Sequence, residues 1–130
     1  MIAVDTNVLA RFLLKDHPAQ FRRAVAVLQS GDEIFIPVTV LLELAWVLKS
    51  REVTSEEIAA SLRGIMTLPH VRLQHAESIR AALGWADEGM DVADALHLSL
   101  SAKASRFVTF DTTLRRSAAK LDARPEVTAP

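Results

Sequence analysis

The sequence predicts an α/β fold in which helices cover both faces of a mostly parallel sheet. Short apolar segments that suit buried strands alternate with longer segments whose apolar residues recur at helical spacing. This alternation is typical of parallel sheets, because each parallel crossover needs a connection long enough for a helix. The chain has 130 residues, enough for one core, and we expect a single domain over residues 1–130.

The first part of the chain predicts two strands and four helices. Ile2 to Val4 is a short apolar strand that Asp5 ends, and "TNVLARFLL" then has helical spacing. Pro18 suits the first turn of a second helix, which Gly31 closes. The segments that follow are a strand at 34–37, a helix at 39–50, and a helix that a capping box of Thr54 and Glu57 starts and that runs to about Gly64.

The second part of the chain continues the same alternation. A turn at Gly89 separates two of its helices, and the second of them has two aspartates among apolar residues. The predicted elements are a strand at 71–73, a helix at about 76–86, a helix that ends at about Ala104, a strand at 106–110, a helix over "TTLRRSAAK", and a short strand near Val127.

Composition excludes several functional classes. With 15 basic and 16 acidic side chains the net charge is -1, so nucleic acid would need a local basic patch or bridging cations. The absence of cysteine excludes disulfides, thiolate nucleophiles and sulfur-ligated zinc, and it suits a reducing cytoplasm, where we expect the protein. No apolar segment approaches the ~20 residues that span a bilayer, and the first residues lack the pattern of a signal peptide. We therefore expect no membrane association.

Two acids follow predicted strands. Asp5 and Asp111 each stand where a strand passes into a helix, and sites in parallel sheets form beyond the carboxyl ends of the strands. Either residue could instead be a helix N-cap, a position that aspartate favours.

Three further acids lie in apolar helices. Glu43 is the only charge in "VTVLLELAWVL", and it could serve a site or face solvent on a stripe with Thr39, Trp46 and Ser50. Asp91 and Asp94 could form the N-cap and third residue of their helix, as in an aspartate version of a capping box. That interpretation is weaker for Asp94, because glutamate or glutamine normally occupies its position.

The other polar residues do not fit common catalytic classes. The four histidines lack metal-ligand spacing, so we expect them at the surface or at helix ends; the serines lack a GxSxG motif, and no glycine-rich phosphate loop exists. A phosphatase of the haloacid-dehalogenase type would need a second acid where the chain has Asn7. The remaining acids suit Mg²⁺ or Mn²⁺, which prefer oxygen ligands and can activate a water for phosphodiester hydrolysis.

Four segments, in order, resemble the PIN-domain family, and within it the VapC-type ribonuclease toxins of bacterial type II toxin-antitoxin pairs. The segments are "MIAVDTNVLARFLLKDHPAQ", "VTVLLELAWVL", "DVADALHLSLSA" and "FVTFD". The resemblance implies that Asp91 is an accessory acid and that Asn7 and Thr109 orient metal ligands through hydrogen bonds. The implied ligands themselves are Asp5, Glu43, Asp94 and Asp111.

The same resemblance implies a three-layer α/β/α sandwich, dependence on Mg²⁺ or Mn²⁺, RNA cleavage, a homodimer and a cognate antitoxin. The alternative is a catalytically inactive PIN-fold module that binds RNA or an antitoxin. An apolar set could form a groove for an antitoxin helix or could be core: Trp46, Val47, Leu48, Ile58 and Leu62. A basic set could bind RNA phosphates or could be ordinary solvated charge: Arg11, Lys15, Arg115 and Arg116.

Overall fold

Strands and helices alternate along the chain in a computed structural model that describes residues 1–130. All strand pairs are parallel. The elements are β1 (Ile2–Ala3), α1 (Thr6–Leu14), α2 (Pro18–Leu28), β2 (Ile34–Ile36), α3 (Val38–Ser50), α4 (Ser55–Met66), β3 (Val71–Leu73), α5 (Ala76–Asp87), α6 (Val92–Ser99), β4 (Arg106–Val108), α7 (Thr112–Lys120) and β5 (Glu126–Thr128). The predicted α/β class with parallel strands is confirmed.

The chain divides into two compact units, and one of the three boundaries between them falls within α4. The first unit comprises Met1–Val53 and Ala60–Gln74, and the second comprises Thr54–Ala59 and His75–Pro130. None of the helices combines the length and the apolar character that a membrane crossing would need.

The first unit contains a three-stranded sheet in the order β1-β2-β3. Ile2 pairs with Ile34, which pairs with Val71. Helix α1 packs against α2 and α3. Because β1 and β2 are parallel, the residues that follow them, Asp5 and Pro37, leave the sheet at the same edge. The core side chains of this unit that are less than 2% exposed are Leu9, Ile34, Ile36, Leu41, Leu44, Leu62 and Ile65.

The second unit contains a two-stranded parallel sheet, in which Arg106 of β4 pairs with Glu126 of β5. Helix α5 packs against α6, and α7 packs against β5. Gly89, with a φ of +99°, closes the turn between α5 and α6 in the left-handed region that glycine favours. The largest fully buried side chains of this unit are Ile79, Leu83, Met90, Leu96 and Leu98.

Local end signals account for most helix starts. Pro18 occupies the first turn of α2, as predicted. The hydroxyl of Thr54 accepts the Glu57 N–H at 3.2 Å and donates to the Glu57 carboxylate at 2.9 Å. The predicted capping box at the start of α4 is therefore confirmed for the bond from the Glu57 N–H to the Thr54 hydroxyl. The Glu57 carboxylate accepts from the Thr54 hydroxyl, whereas in a full capping box it would accept from the Thr54 backbone N–H.

Two helices end at other residues than predicted. Helix α6 ends at Ser99, five residues before Ala104, because the Ser101 N–H bonds the Leu98 carbonyl three residues back and the Ser101 hydroxyl bonds the His97 carbonyl. Helix α4 continues beyond Gly64 to Met66. Burial of Ile65, which is 1% exposed, stabilises that last turn more than glycine weakens it.

The apolar set that suggested either an antitoxin groove or core is mostly core. Leu48, Ile58 and Leu62 are 3%, 2% and 1% exposed, so these three side chains cannot line an open groove. Val47 is half-buried, and Trp46 is 54% exposed. Within this set, only Trp46 exposes a large apolar side chain.

Candidate active site

Asp5 lies between β1 and α1, where the chain leaves the sheet. Its Oδ1 accepts the Thr6 N–H at 2.8 Å, so the predicted N-cap role is confirmed. No hydrogen bond engages the second carboxylate oxygen, and the residue is exposed. A carboxylate can accept at both oxygens, so the cap leaves Asp5 able to bind a cation.

Glu43 shares a groove with Asp5. It lies on α3 and is exposed, as Thr39, Trp46 and Ser50 are, so the predicted solvent-facing stripe is confirmed. The groove between α1 and α3 has a volume of about 250 Å³ and is lined by Asp5, Thr6, Asn7, Ala10, Arg11, Leu14, Glu43, Val47 and Arg51. Glu43 therefore faces solvent and still lines the same groove as Asp5, so the two interpretations of this residue do not exclude each other.

Thr6 also lines this groove, and its hydroxyl has no partner. The residue is 5% exposed, and its Oγ1 is buried without a hydrogen bond. A buried hydroxyl without a partner costs free energy, so such groups in native proteins call for an explanation. Its position beside two carboxylates fits a site completed by a hydrated cation. Thr6 is not among the site residues predicted from sequence, although it stands between Asp5 and Asn7.

Two arginines line the groove and share one aspartate. Arg11 Nη1 donates to both oxygens of Asp16 at 2.9 Å, and Arg51 Nη2 donates to Asp16 at 3.3 Å. The hydrogen bond from Arg11 is the main cause that lowers the pKa of Asp16 below its ordinary value of 3.8. One carboxylate facing two guanidinium groups leaves a net positive charge beside the acid pair. Arg51 is the C-cap of α3, about two helical turns after Glu43, a spacing that could have indicated it in the sequence.

In the second unit, two acids lie at the start of α6. An Asp91 side-chain oxygen accepts the Asp94 N–H at 3.0 Å, so Asp91 is the N-cap, as predicted. Both residues are half-buried, whereas their neighbours Val92, Ala93 and Ala95 are buried. The aspartates therefore occupy the only partly solvated positions of the first turn.

Asp111 caps α7 in the second unit. Its Oδ1 accepts the Leu114 N–H at 3.0 Å, and the residue is exposed. Thr109 supports this turn: its hydroxyl accepts the backbone N–H of Asp111 at 3.0 Å. The predicted supporting hydrogen bond of Thr109 thus reaches the backbone of Asp111 and not its carboxylate.

The remaining predicted residues have the following positions. Asn7 lines the groove of the first unit without a side-chain hydrogen bond to either acid. The Lys15 ammonium lies 5.7 Å from the ring centroid of Phe21 and does not line the groove. All four histidines are exposed, as predicted, and His17 caps α2 by accepting the Gln20 N–H at Nδ1.

Each unit carries carboxylate oxygens, which are atoms of the kind that Mg²⁺ binds. Neither unit by itself contains three or more acidic or histidine side chains placed around one point. Mg²⁺ is often held by one or two carboxylates, with water and substrate phosphates completing its shell. The Asp5 and Glu43 pair, with the unpartnered Thr6 hydroxyl, fits this kind of ion.

Comparison with known proteins identifies one family. A family model described as PIN domain matches residues 2–120 of this chain. No curated protein matches it.

Proposed function

The chain belongs to the PIN-domain family, and we propose that it is a Mg²⁺- or Mn²⁺-dependent endoribonuclease that acts as the toxin of a type II toxin-antitoxin pair. PIN domains are generally nucleases that use Mg²⁺. The observation that carries the proposal is the groove that Asp5 and Glu43, from separate elements, both line, together with Thr6, whose hydroxyl has no partner.

Asp5 and Glu43 are the metal ligands of the first unit in this proposal. The proposal also assigns Asp94 and Asp111 of the second unit as metal ligands, with Asp91 as an accessory. An ion held there would supply an activated water and neutralise charge on the cleaved phosphodiester. Asn7 and Thr109 are supporting residues, and the bond from Asp111 N–H to Thr109 holds the turn that carries Asp111.

Arg11 and Arg51 bind the substrate phosphate in this mechanism. Their shared contact with Asp16 restricts both guanidinium groups, and the set of two arginines and one aspartate carries a net positive charge. A chain with a net charge of -1 has no overall attraction to RNA, so local charge of this kind is needed. The arginines thus orient the RNA while the acids hold the cation.

We also propose that residues 1–130 act as one PIN domain, since the family match extends over parts of both units. A homodimer, a cognate antitoxin and a cytoplasmic location complete the proposal. Trp46, which is 54% exposed, is the large apolar side chain of α3 that remains for contact with a partner.

A cleavage assay on a mixed RNA pool tests the enzyme. Wild type should cut RNA with Mg²⁺, stop with chelator and recover when Mg²⁺ is added back. Glu43→Gln and Asp94→Asn should each lose more than the roughly 10- to 100-fold that supporting residues cost. Glu52→Gln, a change in an exposed acid that does not line the groove, is the matched control for Glu43→Gln and should cut normally.

Two results would contradict the proposal. Cleavage that persists in chelator would exclude the metal, and normal cleavage by Glu43→Gln would exclude the groove. RNA binding without any cleavage by wild type would instead support the alternative of an inactive RNA-binding module.

A further inference from the structure

A second groove lies between α1 and α2 in the first unit. It has a volume of about 280 Å³ and is lined by Asn7, Val8, Arg11, Gln20, Arg23, Ala24 and Val27. Asn7 and Arg11 also line the groove that contains Asp5 and Glu43. The two grooves therefore adjoin, and the second has no acidic residue in its lining.

The positive charge of this groove is available to a ligand. Arg23 is exposed and makes no ion pair or side-chain hydrogen bond. Arg11 is held in place, since its Nε donates to Gln20 at 2.7 Å and its Nη1 donates to Asp16. Guanidinium has five N–H donors, so the Nη2 group of Arg11 remains for another acceptor.

The other lining residues suit a nucleobase. Val8, Ala24 and Val27 offer an apolar wall, and the amides of Asn7 and Gln20 carry donors and acceptors. Single-stranded RNA is recognised by this combination, in which bases pack on apolar or guanidinium surfaces while their edges form hydrogen bonds. Bases within a duplex are stacked and paired, so they cannot enter such a groove.

We propose that the groove between α1 and α2 binds one unpaired nucleotide of the RNA, next to the bond that is cleaved. The inference rests on the proposed function, because the adjoining acids then mark the cleaved phosphodiester. Arg23 contacts the phosphate of this nucleotide, and the apolar wall contacts its base.

The test is the binding of a short single-stranded RNA, measured by fluorescence anisotropy in chelator over a series of salt concentrations. Arg23→Gln should weaken binding about tenfold, as expected for loss of a charged hydrogen bond. It should also reduce the slope of log K against log salt by about 0.7, the value for one phosphate contact on a single strand.

Arg22→Gln is the matched control, because Arg22 is the neighbouring exposed arginine on α2 and does not line the groove. It should change the affinity less than twofold. Both variants should keep the thermal midpoint of wild type, since neither side chain has a partner. Equal losses in the two variants, or no loss in either, would overturn the proposal.

Two further arms identify the ligand. Wild type should bind the single strand at least tenfold more tightly than a duplex of the same sequence, and equal affinity would overturn the proposal. An acidic peptide that competes as well as RNA would assign the groove to a protein partner instead. The binding assay contains chelator, which prevents cleavage, so a negative result in it does not contradict the nuclease proposal. Conversely, protein that binds RNA in this groove without cleaving it contradicts the nuclease proposal and not the binding groove.

Discussion

Replacement of Thr6 by valine should stabilise the protein when no metal is present. Valine has nearly the shape of threonine and removes the buried hydroxyl, which has no hydrogen-bond partner. An unsatisfied buried hydroxyl costs about 1–3 kcal/mol, and threonine and valine have similar helix propensities. We expect Thr6→Val to raise the free energy of unfolding by about 1 kcal/mol, which corresponds to roughly 3 °C in thermal midpoint for a chain of this size.

Urea denaturation measures this change with chelator and again with Mg²⁺. If the hydroxyl serves a hydrated ion, Mg²⁺ gives it a partner, and the advantage of valine should shrink. Thr128→Val is the matched control, because the Thr128 hydroxyl on β5 is also buried without a partner and does not line the groove. Its effect should be the same with and without Mg²⁺.

A loss of stability in Thr6→Val under metal-free conditions would refute the reasoning, because it would mean that the hydroxyl has a favourable partner in solution. An identical gain in the free energy of unfolding with and without Mg²⁺ would show that the Thr6 hydroxyl does not serve the ion. The comparison uses the midpoint and slope of each curve, so a change in slope would reveal an altered unfolded state.

Three other changes test parts of the fold and site. Leu9→Ala, at a fully buried position of α1, should lower the free energy of unfolding by about 2–5 kcal/mol in urea. Asp111→Ala should lose about 1 kcal/mol of cap energy, whereas Asp111→Asn, which keeps the cap, should keep stability and lose cleavage. Asp16→Asn should be less stable than wild type at neutral pH. Because the pKa of Asp16 is lower in the folded protein than its ordinary value of 3.8, the ionised side chain stabilises the fold fully above pH 3.8. This stabilisation is lost as the pH falls through the pKa of the folded state. Unfolding midpoints measured over a pH series should therefore show the stability difference between wild type and Asp16→Asn vanishing in acid.

The local features of this protein were predictable from sequence because they are satisfied within about one helical turn. Asp5, Asp91 and Asp111 each cap the helix that follows them, and Thr54 bonds Glu57 three residues later. The alternation of strands and helices likewise depends on apolar periodicity, which the sequence displays directly.

Tertiary structure decided which of these residues meet. The groove of Asp5 and Glu43 depends on α1 packing against α3, and the contact of Asp16 with Arg51 joins residues far apart in the chain. On the apolar helix α3, Leu48 is buried whereas Trp46 is exposed. Hydrogen bonds of Ser101 end α6 earlier than the sequence predicts. Such outcomes depend on distances between elements, and a linear pattern does not specify those distances until the core has packed.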